Sequence, residues 1–315
     1  MNTKMGTRDG FSEGLVELGE RDPRVVVLTA DLKESTRAEE FAKRWPERFF
    51  ECGVAEQNMM GIAAGLAAGG KIPFVTSYAV FSPGRNWDQL RVSVCYSNLP
   101  VKIIGCHAGL SVGPDGATHQ ALEDIAITRV LPNLKVVIPC DYWEAKKATI
   151  AAVSETGPVY IRLVREKTEV ITDKDTKFEI GKAYRLTNNQ KSKIIIIGTG
   201  PILYECLLAS EQLKIQDIKT EVINCHTIKP LDKKFILDAV TSADGVVTAE
   251  EHQIYGGLGG AIAELLAQNN PKPVEMVGVK DTFGESGKPE ELAEKYGLTA
   301  YDIEQAVKRI ISRTY

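Results

Sequence analysis

The sequence predicts an α/β protein of two domains, each built on a mostly parallel sheet covered by helices. Continuous Val/Ile runs, at residues 24–29, 101–106 and 193–198, are typical of strands buried on both faces. These runs alternate with segments of helical periodicity, which favours parallel βα units. The length of 315 residues suits two domains. We predict domains over residues 1–180 and 181–315, joined by a charged segment at 166–184 that lacks strong periodicity.

Each element follows from its local pattern. In the first domain, helices are predicted over 7–20, 87–94, 119–129 and 142–154, and strands over 24–29, 49–52, 73–76, 101–106, 135–139 and 158–163. A helix of mostly Ala and Gly follows Glu56, and we expect it to be buried all round. In the second domain, strands are predicted over 193–198, 220–224, 245–248 and 274–279. Gly198-Thr199-Gly200 lacks the third glycine of a dinucleotide loop and predicts a simple strand-to-helix turn.

Composition excludes several classes of function. The formal net charge of −4 is evenly scattered, so no basic patch indicates a nucleic-acid partner or an anionic membrane surface. No apolar run has the length of a membrane span, and residues 1–6 lack the apolar core of a signal peptide. The six cysteines include no Cys-x-x-Cys pair and lie in or beside apolar runs, as in reduced proteins. We expect a soluble cytoplasmic protein.

Polar residues recur at the predicted carboxyl ends of strands. Taken singly, each is more often structural than functional, but side chains from consecutive βα units converge on one sheet edge, where ligands bind. A carboxyl group at the start of a buried helix is a good hydrogen-bond partner for a weakly basic ring nitrogen. No zinc-ligand spacing and no Gly-x-Ser-x-Gly elbow is present. The residues at these strand ends are Asp31, Glu56, His107, Asp115, His119 and Arg165.

Three motifs carry a family resemblance that spans nearly the whole chain. They are Gly53-Val54-Ala55-Glu56-Gln57, Asp115-Gly116-Ala117-Thr118-His119-Gln120 and Thr248-Ala249-Glu250-Glu251-His252. In this order the chain resembles the C-terminal two-thirds of a transketolase: the pyrimidine-binding domain over 1–180, then the transketolase C-terminal domain over 181–315. Deoxyxylulose phosphate synthases share much of the pattern but are normally single chains. Ala117 stands where many transketolases have proline, which alters loop stiffness and removes no reacting group.

The resemblance implies thiamine diphosphate as cofactor. Glu56 matches the glutamate that hydrogen-bonds the pyrimidine ring, so that the cofactor serves as its own base. Tyr78 and Phe81 match the aromatic positions that pack against the pyrimidine; the alternative for both is ordinary core. Asp31 matches an acidic residue near the cofactor, and Leu32 would form apolar wall.

The resemblance also implies a sugar phosphate site. His119 matches the histidine beside the reactive carbon, which hydrogen-bonds sugar hydroxyls and helps to move protons, and Asp115 matches the aspartate that reads a hydroxyl. Arg162 stays open as an alternative to Arg165, since only one face of the strand points toward the site. The terminal phosphate would be held by Arg8, Ser35, His107 and Arg165, a chemically sensible set of donors.

One family motif is missing. The family holds the cofactor diphosphate through Mg²⁺ on a Gly-Asp-Gly…Asn motif in an N-terminal domain, and no Gly-Asp-Gly occurs here. The resemblance therefore implies one subunit of a split transketolase. An N-terminal subunit would carry the diphosphate-binding domain and most of the Mg²⁺ site, in a two-plus-two heterotetramer. The expected reaction moves a two-carbon ketol unit from a ketose to an aldose, both phosphorylated. The second domain would support self-association.

Two other functions remain open. A beta subunit of a 2-oxoacid dehydrogenase has the same layout and the same kind of glutamate, but Asp115 and His119 argue against it. A non-catalytic scaffold could retain the fold, but every matched polar position still holds a workable residue type.

Overall fold

The computed structural model describes residues 3–188 and 192–314, and the predicted domain limits at residues 1 and 315 lie outside them. The strands are β1 (Lys4–Gly6), β2 (Val25–Thr29), β3 (Phe49–Glu51), β4 (Ile72–Tyr78), β5 (Lys102–Cys106), β6 (Lys135–Val137), β7 (Val159–Arg162), β8 (Lys167–Glu169), β9 (Tyr184–Arg185), β10 (Ile194–Gly198), β11 (Thr220–Asn224), β12 (Thr227–Lys229), β13 (Gly245–Gln253) and β14 (Val274–Val279). The α-helices are α1 (Thr7–Arg21), α2 (Glu39–Arg44), α3 (Glu56–Ala68), α4 (Trp87–Gln89), α5 (Asp124–Arg129), α6 (Tyr142–Val153), α7 (Leu203–Ile215), α8 (Lys233–Val240), α9 (Leu258–Asn269), α10 (Pro289–Tyr296) and α11 (Ala300–Thr314).

The first sheet has seven strands in the order β12-β6-β7-β5-β4-β2-β3. All pairs are parallel except that of β12 with β6. Strands β2, β5 and β7 are buried along their whole length, which explains their uninterrupted apolar sequence. The predicted α/β fold and its strands are therefore confirmed.

The second sheet has the order β14-β13-β10-β11-β9, and β9 alone runs antiparallel to its neighbour. The two sheets are not separate units, because β12 follows β11 along the chain and yet completes the first sheet. The segment predicted as a plain connection contains β8, which pairs with β1 in a two-stranded ribbon.

Two helix predictions were wrong in part. Helix α3 was expected to be buried all round, but only one side, including Met59, Met60 and Ala63, packs on the sheet. On its other side Ile62 is 38% exposed, and a side chain added at Gly61 would meet nothing within 4 Å. A helix of small residues thus presents an open apolar face in the single chain.

The helix predicted over 119–129 begins only at Asp124. The residues before it form a loop instead, because the buried Gln120 side chain donates to the carbonyl oxygens of Leu110 and Gly113. The same amide group also donates to the carbonyl oxygen of Glu285, a tertiary contact that the local sequence pattern does not predict.

The six cysteines are free thiols, and all except Cys52 are buried in the cores on the two sheets. Across residues 3–188 and 192–314, we find no helix with the length and apolar content that crossing a membrane requires.

Candidate active site

The candidate site lies at the carboxyl edge of the first sheet. Because β2, β3, β4, β5 and β7 are parallel, the residues that follow them meet at one edge. Asp31 follows β2, Glu56 begins the helix after β3, Tyr78 ends β4, His107 follows β5 and Arg165 follows β7. The structure therefore brings these predicted residues to a common edge.

Four rings form a cluster at the centre of this edge. The Tyr78 ring stacks on the His107 ring, with centroids 3.8 Å apart, and on the Phe81 ring at 6.0 Å. His119 meets Tyr78 and Phe81 edge-on, at 6.0 Å and 5.5 Å. The cluster thus joins two residues predicted for the cofactor to two predicted for the substrate.

Glu56 lies beside this cluster at the first position of α3. Its side chain is 1% exposed, and its Oε2 accepts a hydrogen bond of 2.8 Å from Arg85 Nη1. The Arg85 guanidinium carbon also lies 4.6 Å from the centroid of the Phe81 ring, a cation–π contact. Arg85 therefore connects the buried carboxylate to the rings. The sequence analysis missed it; its one signal is a basic residue four positions after Phe81.

A cationic cleft lies near the rings, since Arg8 and Arg165 line it and their charges act on His107. Arg8 donates from Nη1 to the backbone oxygen of Ser35 at 2.5 Å and from Nη2 to the backbone oxygen of Arg165. Arg165 Nη1 donates to Val112 O at 2.8 Å and contacts Asp115 Oδ1 at 3.3 Å. The cleft has a volume of about 570 Å³. Its lining includes five basic residues, Lys4, Arg8, Arg37, Arg165 and Lys167, and three acidic ones, Asp9, Glu166 and Glu290.

Two guanidinium groups in the cleft differ in their surroundings. Burial lowers the pKa of Arg8, and its described hydrogen bonds go to neutral carbonyl oxygens. Arg37, which the sequence analysis missed, is 48% exposed and pairs with Asp9 at 3.0 Å. Its backbone has a φ of 63°, uncommon for a residue with a side chain. The cleft is suited to an anion that is held chiefly by Arg8 and Arg165.

His107 enters the site as a neutral imidazole. Its side chain is 3% exposed, and burial, reinforced by the charges of Arg8 and Arg165, lowers its pKa to about 3. The backbone φ of 54° also places it in the left-handed region. Its Nδ1 is buried with no hydrogen-bond partner among the residues described here. A neutral ring with a free nitrogen is available to a ligand as a hydrogen-bond partner, but adds no charge.

Arg162 and Arg165 lie in different surroundings. Arg162 is 2% exposed, and its Nε donates to Asp124 Oδ2 at 2.9 Å. Its Nη2 donates to the backbone oxygens of Ala121 and Glu251. Arg162 is thus buried and hydrogen-bonded inside the protein, whereas Arg165 lines the cleft.

Asp31 and Leu32 lie at the same edge but take no part in the ring contacts described above. Asp31 is exposed with a φ of 61°, and its backbone N–H donates to Glu51 Oε1 at 2.7 Å. The same oxygen accepts from Gly53 N at 3.0 Å. Glu51, which the sequence analysis did not single out, therefore ties the β2 end to the segment that leads into Glu56.

For a metal ion the described residues offer little. Within 3–188 and 192–314, no group of three or more His, Cys, Asp or Glu side chains is arranged to hold one.

Comparison with known proteins defines the class. The family model for the transketolase pyrimidine-binding domain matches residues 3–170, and that for the transketolase C-terminal domain matches residues 181–303. The chain belongs to the transketolase family.

Its similarity extends over whole subunits of that family. A Methanocaldococcus jannaschii protein named as a transketolase C-terminal section is 47% identical over 97% of this chain and 95% of its own length. A 6-deoxy-6-sulfo-D-fructose transketolase subunit from Clostridium sp. is 41% identical over 97% of this chain and 94% of its own. A solved structure described as a split gene transketolase, inactive beta4 tetramer, has 43% identity and a TM-score of 0.92, covering 99% of this chain and 100% of its own. The chain is of the transketolase type and has the extent of a split subunit.

Proposed function

We propose that this chain is the pyrimidine-binding subunit of a split, thiamine diphosphate-dependent transketolase. It would transfer a two-carbon ketol unit from a ketose phosphate to an aldose phosphate. The observation that carries the proposal is one continuous arrangement: the buried Glu56 carboxylate, the rings of Tyr78 and Phe81, and the cationic cleft share one sheet edge.

The chain's residues fit the pyrimidine half of the cofactor. Thiamine diphosphate, when bound, supplies a nucleophilic carbon and an electron sink for breaking a carbon–carbon bond of the ketose. Glu56, almost fully buried, would hold a proton against a pyrimidine ring nitrogen. Tyr78 and Phe81 would pack on the ring, with Asp31 and Leu32 at the margin of the cofactor site.

The polar residues next to the rings suit a sugar. His119 is partly exposed and touches both aromatic rings, so it would hydrogen-bond sugar hydroxyls and move a proton at the reacting carbon. Asp115 would accept a hydrogen bond from a hydroxyl group. Arg8 and Arg165 would hold the terminal anion, with neutral His107 and the Ser35 segment completing its surroundings. A terminal sulfonate, as the name of the Clostridium relative implies for its substrate, would satisfy the same donors.

The cofactor diphosphate and its Mg²⁺ need a partner subunit in this proposal. Among the described residues, no group of three or more His, Cys, Asp or Glu side chains could supply the hard oxygen ligands that Mg²⁺ needs. The solved relative with 43% identity, a tetramer of one kind of subunit, is described as inactive, which is consistent with an incomplete site. We assign the diphosphate site to an N-terminal transketolase subunit in a two-plus-two heterotetramer. The protein would act in the cytoplasm.

The open face of α3 supports self-association within that heterotetramer. Val54, just before the helix, is 71% exposed, and Ile62 on the helix is 38% exposed. Glycines on this face permit close approach of a second backbone, so a second copy of the chain would bury an apolar surface.

Calorimetric titration with thiamine diphosphate and Mg²⁺ tests the proposal. The chain alone and the chain mixed with its candidate partner subunit are titrated in parallel, and the mixture is assayed with xylulose 5-phosphate and ribose 5-phosphate. We expect binding and turnover only in the mixture. Tight binding by the lone chain would contradict the split site. Absence of both binding and turnover in the mixture would favour a scaffold, the alternative left open by the sequence.

A further inference from the structure

The second sheet contains the kind of position at which α/β proteins usually bind ligands. Strand β10 has β11 on one side and β13 on the other, so the direction of strand order reverses between β10 and β13. A crevice opens at the carboxyl ends of strands at such a point. Here two consecutive glutamates, Glu250 and Glu251, follow Ala249, the last residue of β13 that pairs with β10.

Glu250 fills the position that an anionic ligand would take. Its Oε2 accepts from Leu258 N at 2.7 Å and its Oε1 from Gly259 N at 2.8 Å, at the start of α9. These are the N–H groups that a helix N-terminus offers to anions. The described hydrogen bonds of the Glu250 carboxylate therefore stay within the C-terminal domain.

Glu251 faces the other domain. Its Oε1 accepts a hydrogen bond of 2.6 Å from the backbone N–H of Ser111, which lies 140 residues earlier in the chain. A side chain added at Gly109 would come within 2.4 Å of that same oxygen, so the carboxylate packs directly against the loop backbone. Its own backbone oxygen accepts from Arg162 Nη2 at 2.9 Å, which fixes the end of β13 against the first sheet.

The loop that Glu251 contacts carries part of the candidate site. Next to Ser111, the carbonyl oxygen of Val112 accepts the 2.8 Å hydrogen bond from Arg165, and Asp115 follows at the end of the same segment. The loop is flanked by Gly109 and Gly116, with φ of 84° and 74°. Since glycines at both ends leave the backbone little intrinsic preference, the conformation depends on contacts from outside.

We propose that Glu251 is a positioning residue for the substrate site: it holds Ser111 and Val112 so that Arg165 points into the cationic cleft. The C-terminal domain thereby orients the anion-binding arginine, beyond any role in assembly. The inference rests on the proposed function, because it assigns the orientation of Arg165 to the binding of a sugar phosphate.

Three variants in the assembled complex test this role. Glu251→Ala removes the acceptor, Glu251→Gln keeps an oxygen that can accept from Ser111, and Glu250→Ala is the matched control, an adjacent buried glutamate whose bonds stay within its domain. For Glu251→Ala we expect KM for a phosphorylated acceptor to rise about tenfold, with KM for glycolaldehyde and the affinity for thiamine diphosphate within about twofold of the unsubstituted complex. Glu251→Gln should restore most of the loss. Glu250→Ala should lower thermal stability and leave the KM ratio of the two acceptors unchanged.

Amide hydrogen exchange gives a readout that does not need activity. In the Glu251→Ala chain we expect the loop over residues 109–116 to exchange at least about tenfold faster than in the unsubstituted chain, because Ser111 N–H loses its acceptor. Unchanged exchange in this loop, or a KM ratio that shifts equally in Glu250→Ala, would overturn the role of Glu251. An unsubstituted complex without transketolase activity would instead overturn the proposed function, and the two failures are thus distinguishable.

Discussion

Replacement of Glu56 by glutamine tests the proposed role of its carboxyl group in catalysis. We expect a small effect on the free energy of unfolding and a large effect on kcat. The first arises from loss of the charge that Glu56 contributes to its ion pair with Arg85 Nη1 at 2.8 Å, since the amide oxygen can still accept a hydrogen bond. A charged hydrogen bond contributes about 1.5–3 kcal/mol to the free energy of unfolding. Arg85 is 48% exposed, however, so solvent screening reduces the expected loss to about 1 kcal/mol. The isosteric amide keeps the packing at the start of α3.

The second effect is kinetic. A carboxyl group positioned for proton transfer contributes a factor of about 10² to 10⁴ in rate. We therefore expect kcat of the complex to fall by at least about 100-fold in Glu56→Gln, equivalent to roughly 3 kcal/mol or more in the activation barrier. Substrate KM should change little, since the proposed anion-binding residues Arg8 and Arg165 make none of their described hydrogen bonds to Glu56.

Arg85→Met is the matched control, because it removes the same ion pair from its other partner and keeps the carboxylate. Both variants are assayed by steady-state kinetics of the complex and by denaturant unfolding of the chain. We expect a larger loss of stability in Arg85→Met, because the buried carboxylate is left without its partner, but less than about a tenfold loss of kcat. The reasoning would be refuted by a Glu56→Gln complex with kcat within tenfold of the unsubstituted one, or by equal kinetic losses in the two variants.

Two further predictions concern the cleft. Arg165→Ala should raise KM for phosphorylated sugars by about tenfold, as loss of a charged hydrogen bond would, with little change for glycolaldehyde; an unchanged KM would remove Arg165 from the anion site. The pKa of folded His107, about 3, lies below its ordinary value of 6.5, so the unfolded chain binds more protons between these values and stability falls as the pH drops below about 6.5. By about pH 4.5 this residue accounts for a loss on the order of 3 kcal/mol in the free energy of unfolding. Denaturant titrations of the unsubstituted chain and of His107→Asn across this range measure the difference, and parallel pH profiles would show that His107 is not buried as a neutral ring.

Much of the fold was predictable because strand and helix signals are local. A buried parallel strand needs apolar side chains on both faces, so β5 and β10 stand out as Ile-rich runs in the sequence. The prediction that a helix follows Glu56 is confirmed, but the prediction that this helix is buried all round was wrong. Small apolar residues indicate close packing, yet no periodicity tells whether the neighbour belongs to the same chain, and the structure shows the Ile62 side of α3 open.

The candidate site was predictable to the extent that parallel strands bring their carboxyl ends to one edge. That rule, with the three motifs, placed Glu56, His107 and Arg165 together from sequence alone. The rule does not give the direction of each side chain, so the sequence left Arg162 as an alternative to Arg165. In the structure the Arg162 guanidinium group is bound to Asp124.

What the sequence by itself determined was the alternation of strands and helices and the chemistry available at the strand ends, because both depend on neighbouring residues. Tertiary structure alone decided which groups meet. Helix α3 and strand β4 separate Glu56 from Arg85 in the sequence, yet their side chains form a hydrogen bond. The hydrogen bond between Glu251 and Ser111 joins two domains and residues 140 positions apart. The neutral state of His107 likewise arises from burial and from Arg8 and Arg165, at the two ends of the first domain. Such contacts leave no local periodicity, since they form only when the sheets have brought distant segments together.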